Sequence, residues 1–171
     1  MHILFIFAAL TYGAASVAFG LDPDDPDGAS HSQVLRSSTR RQRRALLLLA
    51  VAGGLHFCTI GAQCIRGEHP FESVFLASSL GALITVAGYC ILTLLRPVYA
   101  LGVGLAPLGL LGLVLGVMFG ATSVQDPLQA PAQSLATAHI GLATAGLAGF
   151  TLPAGVAGLY LAMARRLRNR Q

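Results

Sequence analysis

The chain has 171 residues, of which 54% are hydrophobic and 11% charged, and its mean hydropathy is +0.69. Soluble domains carry about 25% charged residues, so a single water-soluble core is excluded and lipid is most of the solvent. The net charge of +4 rests on arginine alone, since lysine is absent; these arginines flank apolar stretches, which is a topology signal, and no basic face with interleaved aromatics exists to bind nucleic acid.

The first apolar stretch covers residues 2–20. Small residues near Gly20 would suit a signal peptide, but the basic leader of one is missing, and a retained transmembrane helix is the reading adopted. Residues 21–44 read as a polar loop. Its Asp22-Pro23-Asp24-Asp25-Pro26-Asp27-Gly28 run is punctuated by two prolines and a glycine and does not match a calcium-loop frame. Five arginines, Arg36, Arg40, Arg41, Arg43 and Arg44, then lead into the second span, 45–65. On a helix, its His56, Thr59 and Gln63 fall at i, i+3 and i+7 and share one face. Such a stripe should face other helices or a cavity, not lipid. His56 lies roughly 16 Å along the axis at ~1.5 Å per residue, near the midplane.

The polar turn Gly67-Glu68-His69-Pro70 precedes a third span, 73–95, which Arg96-Pro97 stops. The fourth span, 98–121, carries Pro107 and the ridge Gly112-x-x-x-Gly116-x-x-x-Gly120, which allows another helix to approach closely. A loop at 122–133 contains two prolines. The fifth span, 134–164, places His139, Gly146, Pro153 and Tyr160 seven apart, close to one face. Cys58, Cys64 and Cys90 form no metal or redox spacing and read as small core residues.

These elements predict an all-α fold: a polytopic integral membrane bundle of five transmembrane helices forming one domain, 1–171. With the N-terminus outside and the C-terminus inside, the loop 21–44, the turn at Arg96 and the tail hold ten arginines, whereas the outside regions hold only Arg66. That asymmetry sets the orientation and argues against cleavage of the first segment.

No acidic or basic side chain lies deep in a span, which argues against a proton pump or ion-coupled transporter. No Ser-His-Asp set, zinc-protease pattern or phosphate-binding glycine loop is present. The ligating or titratable groups in or at the rim of the spans are His56, His139, His69 and Glu72. Neutral imidazole is a good ligand for haem iron, and histidine within a membrane helix marks a functional candidate. Each is also open to reading as a hydrogen-bonded packing residue, and His69 reads first as a loop residue. His2 and His31 read as surface residues.

Residues His56, Gly67, His69, Pro70, Glu72, Ser73, Phe75 and Leu76 resemble the cytochrome c assembly family, the CcsA, CcmC and HemX-like haem-handling membrane proteins. Those carry a helix with histidine, a short outside turn and an E-S-L-x-F-L start to the next helix. Arg96-Pro97 with Pro107, and Ala138-His139-Ile140 opening the last span, resemble that family's following helices. The resemblance implies that His139 lies at the outer face as an axial haem ligand, with His56 second and His69 weaker. It further implies haem as cofactor, other cytochrome c maturation subunits and indirectly an apocytochrome c as partners, and a bacterial-type cytoplasmic (inner) membrane. The turn is shorter than the family's, and the tryptophan-rich outside segment has no counterpart, because the chain has no tryptophan. The chain is therefore expected to be a truncated or split form or a shortened relative, with a separate C-terminal half among its expected partners, and not an enzyme by itself. The alternative is a cofactor-free structural or regulatory membrane subunit, HemX-like, whose small-residue ridges dock a partner.

Overall fold

The computed structural model describes residues 2–20, 31–71, 73–120 and 130–168. Among these, five α-helices occur and no strand: α1 His2–Gly20, α2 His31–Ile65, α3 Val74–Leu95, α4 Gly102–Phe119 and α5 Ala130–Arg168, with a short 3-10 turn, Tyr99–Leu101, leading into α4. All five are long and apolar enough to cross a membrane. At 1.5 Å per residue, the 19 residues of α1 extend about 28 Å, close to the hydrocarbon thickness of a bilayer.

Helix α2 begins earlier than expected. Residues 31–44, assigned to a loop from their charge, are helical. Between His31 and Arg44 there is neither proline nor glycine, and arginine and glutamine are good helix formers, so nothing stops the apolar span from continuing backward. Helix α5 likewise starts four residues before the expected Ser134, with Pro131 in its first turn, where a missing N–H costs nothing. The acidic run 22–28 lies outside the described residues.

The reversal between α2 and α3 is set by three local signals. Gly67 takes φ +87°, a conformation glycine adopts without penalty. The Glu68 N–H donates to the Gln63 carbonyl at 3.1 Å and the Gly67 N–H to the Cys64 carbonyl at 3.0 Å, the paired bonds that close a helix C-terminus. Ser73 then caps α3, its hydroxyl accepting from the Phe75 N–H at 3.2 Å.

Helices α1 to α4 pack around a core of small residues and two tyrosines, with Ala8, Ala52 and Ala106 fully buried beside Tyr12, Tyr89 and Leu113. The glycine ridge of α4 is filled from within. Gly112 meets Ala82, Gly116 meets Ser79 and Gly120 meets Leu76, all on α3. The alternative expectation gave this ridge to an outside partner; α3 occupies it, because its own small residues face the ridge in antiparallel register. On the neighbouring face, the Tyr12 ring of α1 lies against Gly109, where a Cβ would stand 2.5 Å from the ring.

Helix α5 joins this bundle from one side. It packs on α3 and on the turn before α4, through Thr144 on Gly81, Leu152 on Gly88 and Gly155 on Leu101. The rising register shows that α3 and α5 run parallel. Much of α5 is exposed and apolar, including Leu142, Leu147 and Phe150.

Candidate functional site

The polar face of α2 points inward. His56, Thr59 and Gln63 are 0%, 1% and 2% exposed, as the i, i+3, i+7 spacing requires of a stripe that avoids lipid. Their partners come from three other helices. His56 Nδ1 lies 3.2 Å from the Tyr12 hydroxyl of α1, and Nε2 lies 2.9 Å from the Ser79 hydroxyl of α3. A neutral imidazole has one N–H and one lone pair, so one hydroxyl accepts while the other donates. The Tyr12 and His56 rings meet edge-on, 5.9 Å apart at 81°. Gln63 donates its amide to the Gly116 carbonyl of α4 at 3.4 Å, and Gly116 itself carries Ser79. Thr59 bonds within its own helix, to the Leu55 carbonyl.

This knot joins all four helices of the bundle through neutral groups. Among the described residues, no buried side-chain nitrogen or oxygen is left without a partner. The expected role of His56 as a haem ligand meets a specific obstacle, since both ring nitrogens are engaged and the residue is fully enclosed. Here it acts as a clamp between helices.

His139 is different. It stands exposed in the third turn of α5, flanked by exposed Leu135 and Leu142. The face below it is open: Gly146 and Gly149 have no atom within 4 Å of where a Cβ would be. Two residues beyond His139, a Cβ built on Gly141 would stand 3.6 Å from the Phe71 ring. Phe71 belongs to the turn that carries exposed His69. The His69 and His139 segments therefore sit together at one end of the bundle, whereas His56 lies in the interior. Glu72 lies outside the described residues.

Among the described residues, no group of three or more His, Cys, Asp or Glu side chains is placed to hold a bare metal ion. A haem needs one or two axial ligands and an apolar surface for the ring; at this end the exposed imidazole of His139 lies beside exposed Leu135 and Leu142. Cys58 is exposed and Cys64 and Cys90 are half-buried. The expected core role fails for Cys58, which is two residues from His56 and so turned about 200° away from the buried stripe.

Sequence reasoning missed Tyr12 and Ser79, which complete the His56 knot. The available signal was a phenol and a hydroxyl in otherwise apolar spans, each of which needs a buried partner. The chain matches no family model, no curated protein and no solved structure.

Proposed function

We propose that this chain is a haem-handling integral membrane protein of cytochrome c maturation, holding haem through His139 at the outer face of a bacterial-type cytoplasmic membrane. The observation that supports the reading is that the His69 and His139 turns lie at one end of the bundle, a Cβ built on Gly141 standing 3.6 Å from the Phe71 ring, while His139, two residues before Gly141, faces outward from α5. The open apolar face below His139 supports it, since a porphyrin needs a flat surface free of competing side chains. The arginine distribution supports the orientation, because the His69–His139 end is the arginine-poor end.

In this reading His139 supplies the axial imidazole, and Leu135, Leu142 and Gly146 provide apolar surface for the ring. His69 lies at the same end of the bundle as the weaker candidate donor. Haem, when bound, supplies the vinyl groups to which the cysteine thiols of an apocytochrome c add. The chain's own contribution is to orient the haem and shield it from water while a partner approaches. A separate polypeptide carrying the tryptophan-rich segment would cover the other face, together with further maturation subunits.

The exposed face from His139 through Gly146, Pro153 and Tyr160 also favours a second reading, a cofactor-free regulatory subunit that docks another membrane helix there. A visible absorption spectrum of the detergent-purified protein with added haem separates the two. The haem reading expects a Soret band that His139→Ala removes and that folded His56→Ala retains. A wild type that stays colourless gives the chain to the second reading.

A further inference from the structure

An apolar groove of about 940 Å³ lies between α3 and α5, with Gly88, Leu92 and Leu95 on one wall and Gly149, Val156 and Tyr160 on the other. Its length argues for a particular occupant. On α5 the lining runs from Gly149 to Leu161, about 18 Å at 1.5 Å per residue. That is close to one leaflet of a hydrocarbon core about 30 Å thick. A partner transmembrane helix would need a track of the full thickness, whereas an acyl chain needs one leaflet.

The mouth of the groove gives the occupant its charge. Because α3 and α5 run parallel, their C-terminal ends lie on the same side. Arg96 follows Leu95 directly as the C-terminal cap of α3, and Arg165 follows Leu161 by one turn, on the same face of α5. Both arginines are exposed. Tyr160, which lines the groove and is 72% exposed, sits five residues, about 7.5 Å, inside Arg165, the depth at which tyrosine is enriched between lipid and headgroup. A second copy of the chain entering in parallel would bring its own arginines to the same mouth, which like-charge repulsion disfavours.

We propose that the α3–α5 groove is a binding site for an anionic phospholipid, one acyl chain lying along Leu92 and Gly149 and the phosphate meeting Arg96 and Arg165. Gly149 is the opening in the wall, since nothing stands within 4 Å of its missing side chain. The site is independent of His139 and of the haem reading.

Native mass spectrometry of the delipidated protein, titrated with phosphatidylglycerol or with phosphatidylcholine, tests this. The wild type should retain phosphatidylglycerol in preference. Each of Arg96→Gln and Arg165→Gln should reduce that preference roughly fivefold, the contribution of one basic side chain near a charged headgroup. Gly149→Leu, whose Cβ would have no atom within 4 Å and whose side chain would project into the groove, should abolish retention of both lipids. Equal retention of the two lipids by the wild type overturns the proposal. So does a preference that survives both arginine substitutions, or a Gly149→Leu variant that loses a dimer rather than a lipid.

Discussion

His56 shows how one side chain can hold four helices. Its imidazole bonds directly to α1 and α3, and Ser79 packs on α4 at Gly116, where Gln63 adds a hydrogen bond to the backbone. Removing the ring strands two buried hydroxyls, which costs about 1–3 kcal/mol for each group left unsatisfied. Membrane hydrogen bonds contribute less in pairwise coupling, about 0.6 kcal/mol on average and up to about 1.7. A double-mutant cycle of His56→Ala and Ser79→Ala, read by unfolding in mixed micelles, should therefore give a loss of about 1–3 kcal/mol for Ser79→Ala, about twice that for His56→Ala, and a positive coupling within that lower range. Zero coupling would mean that the 2.9 Å contact contributes no stability. The inward stripe of His56, Thr59 and Gln63 was legible in the sequence because helical spacing alone defines a face. Its partners were not, since Tyr12 and Ser79 are 44 and 23 residues away in the chain and no local period connects them.

At the level of the element, glycines on different helices have opposite meanings. Gly116 is buried against Ser79, whereas Gly146 faces open space. Gly116→Leu should separate α3 from α4 and reduce the yield of folded, monodisperse protein severely, overpacking alone costing about 1–3 kcal/mol. Gly146→Leu should leave folding unchanged or improve it slightly, because leucine favours helix by up to about 1 kcal/mol over glycine. Size-exclusion profiles and thermal melts of the two variants side by side check this, and equal effects would contradict the packing described. The spans were readable from apolar length, and the stop at Arg96-Pro97 from proline chemistry. The start of α2 was misread because a run of arginines resembles a solvated loop in composition while remaining a good helix in backbone preference. The glycine ridge was recognised, but a ridge says only that a helix approaches and not which one.

For the whole molecule, the main division is between the four-helix bundle and α5. The bundle has an interior of small residues, tyrosines and a saturated polar knot. Helix α5 is held from one side by α3 and the turn before α4, and interior contacts such as Thr144 and Ala148 are few along its length. Local stability follows buried contact. Backbone amide exchange in detergent should accordingly be faster in 143–165 than in 78–92 by on the order of tenfold, the difference that about 1.4 kcal/mol of local stability makes. Uniform protection across both stretches would place α5 within the same cooperative unit as the bundle.

The two-sided grip on His56 also bears on how the chain is made. Its Tyr12 partner is synthesised before it and its Ser79 partner after it, so α1 and α2 can pair as a hairpin while one ring nitrogen is still unmet. The arrival of α3 at the translocon supplies that missing hydroxyl, and α4 then seals the site by laying Gly116 over Ser79. A nascent chain halted between α2 and α3 would leave a polar ring atom unmet on an apolar helix, which makes the third helix, not the second, the step that closes the knot.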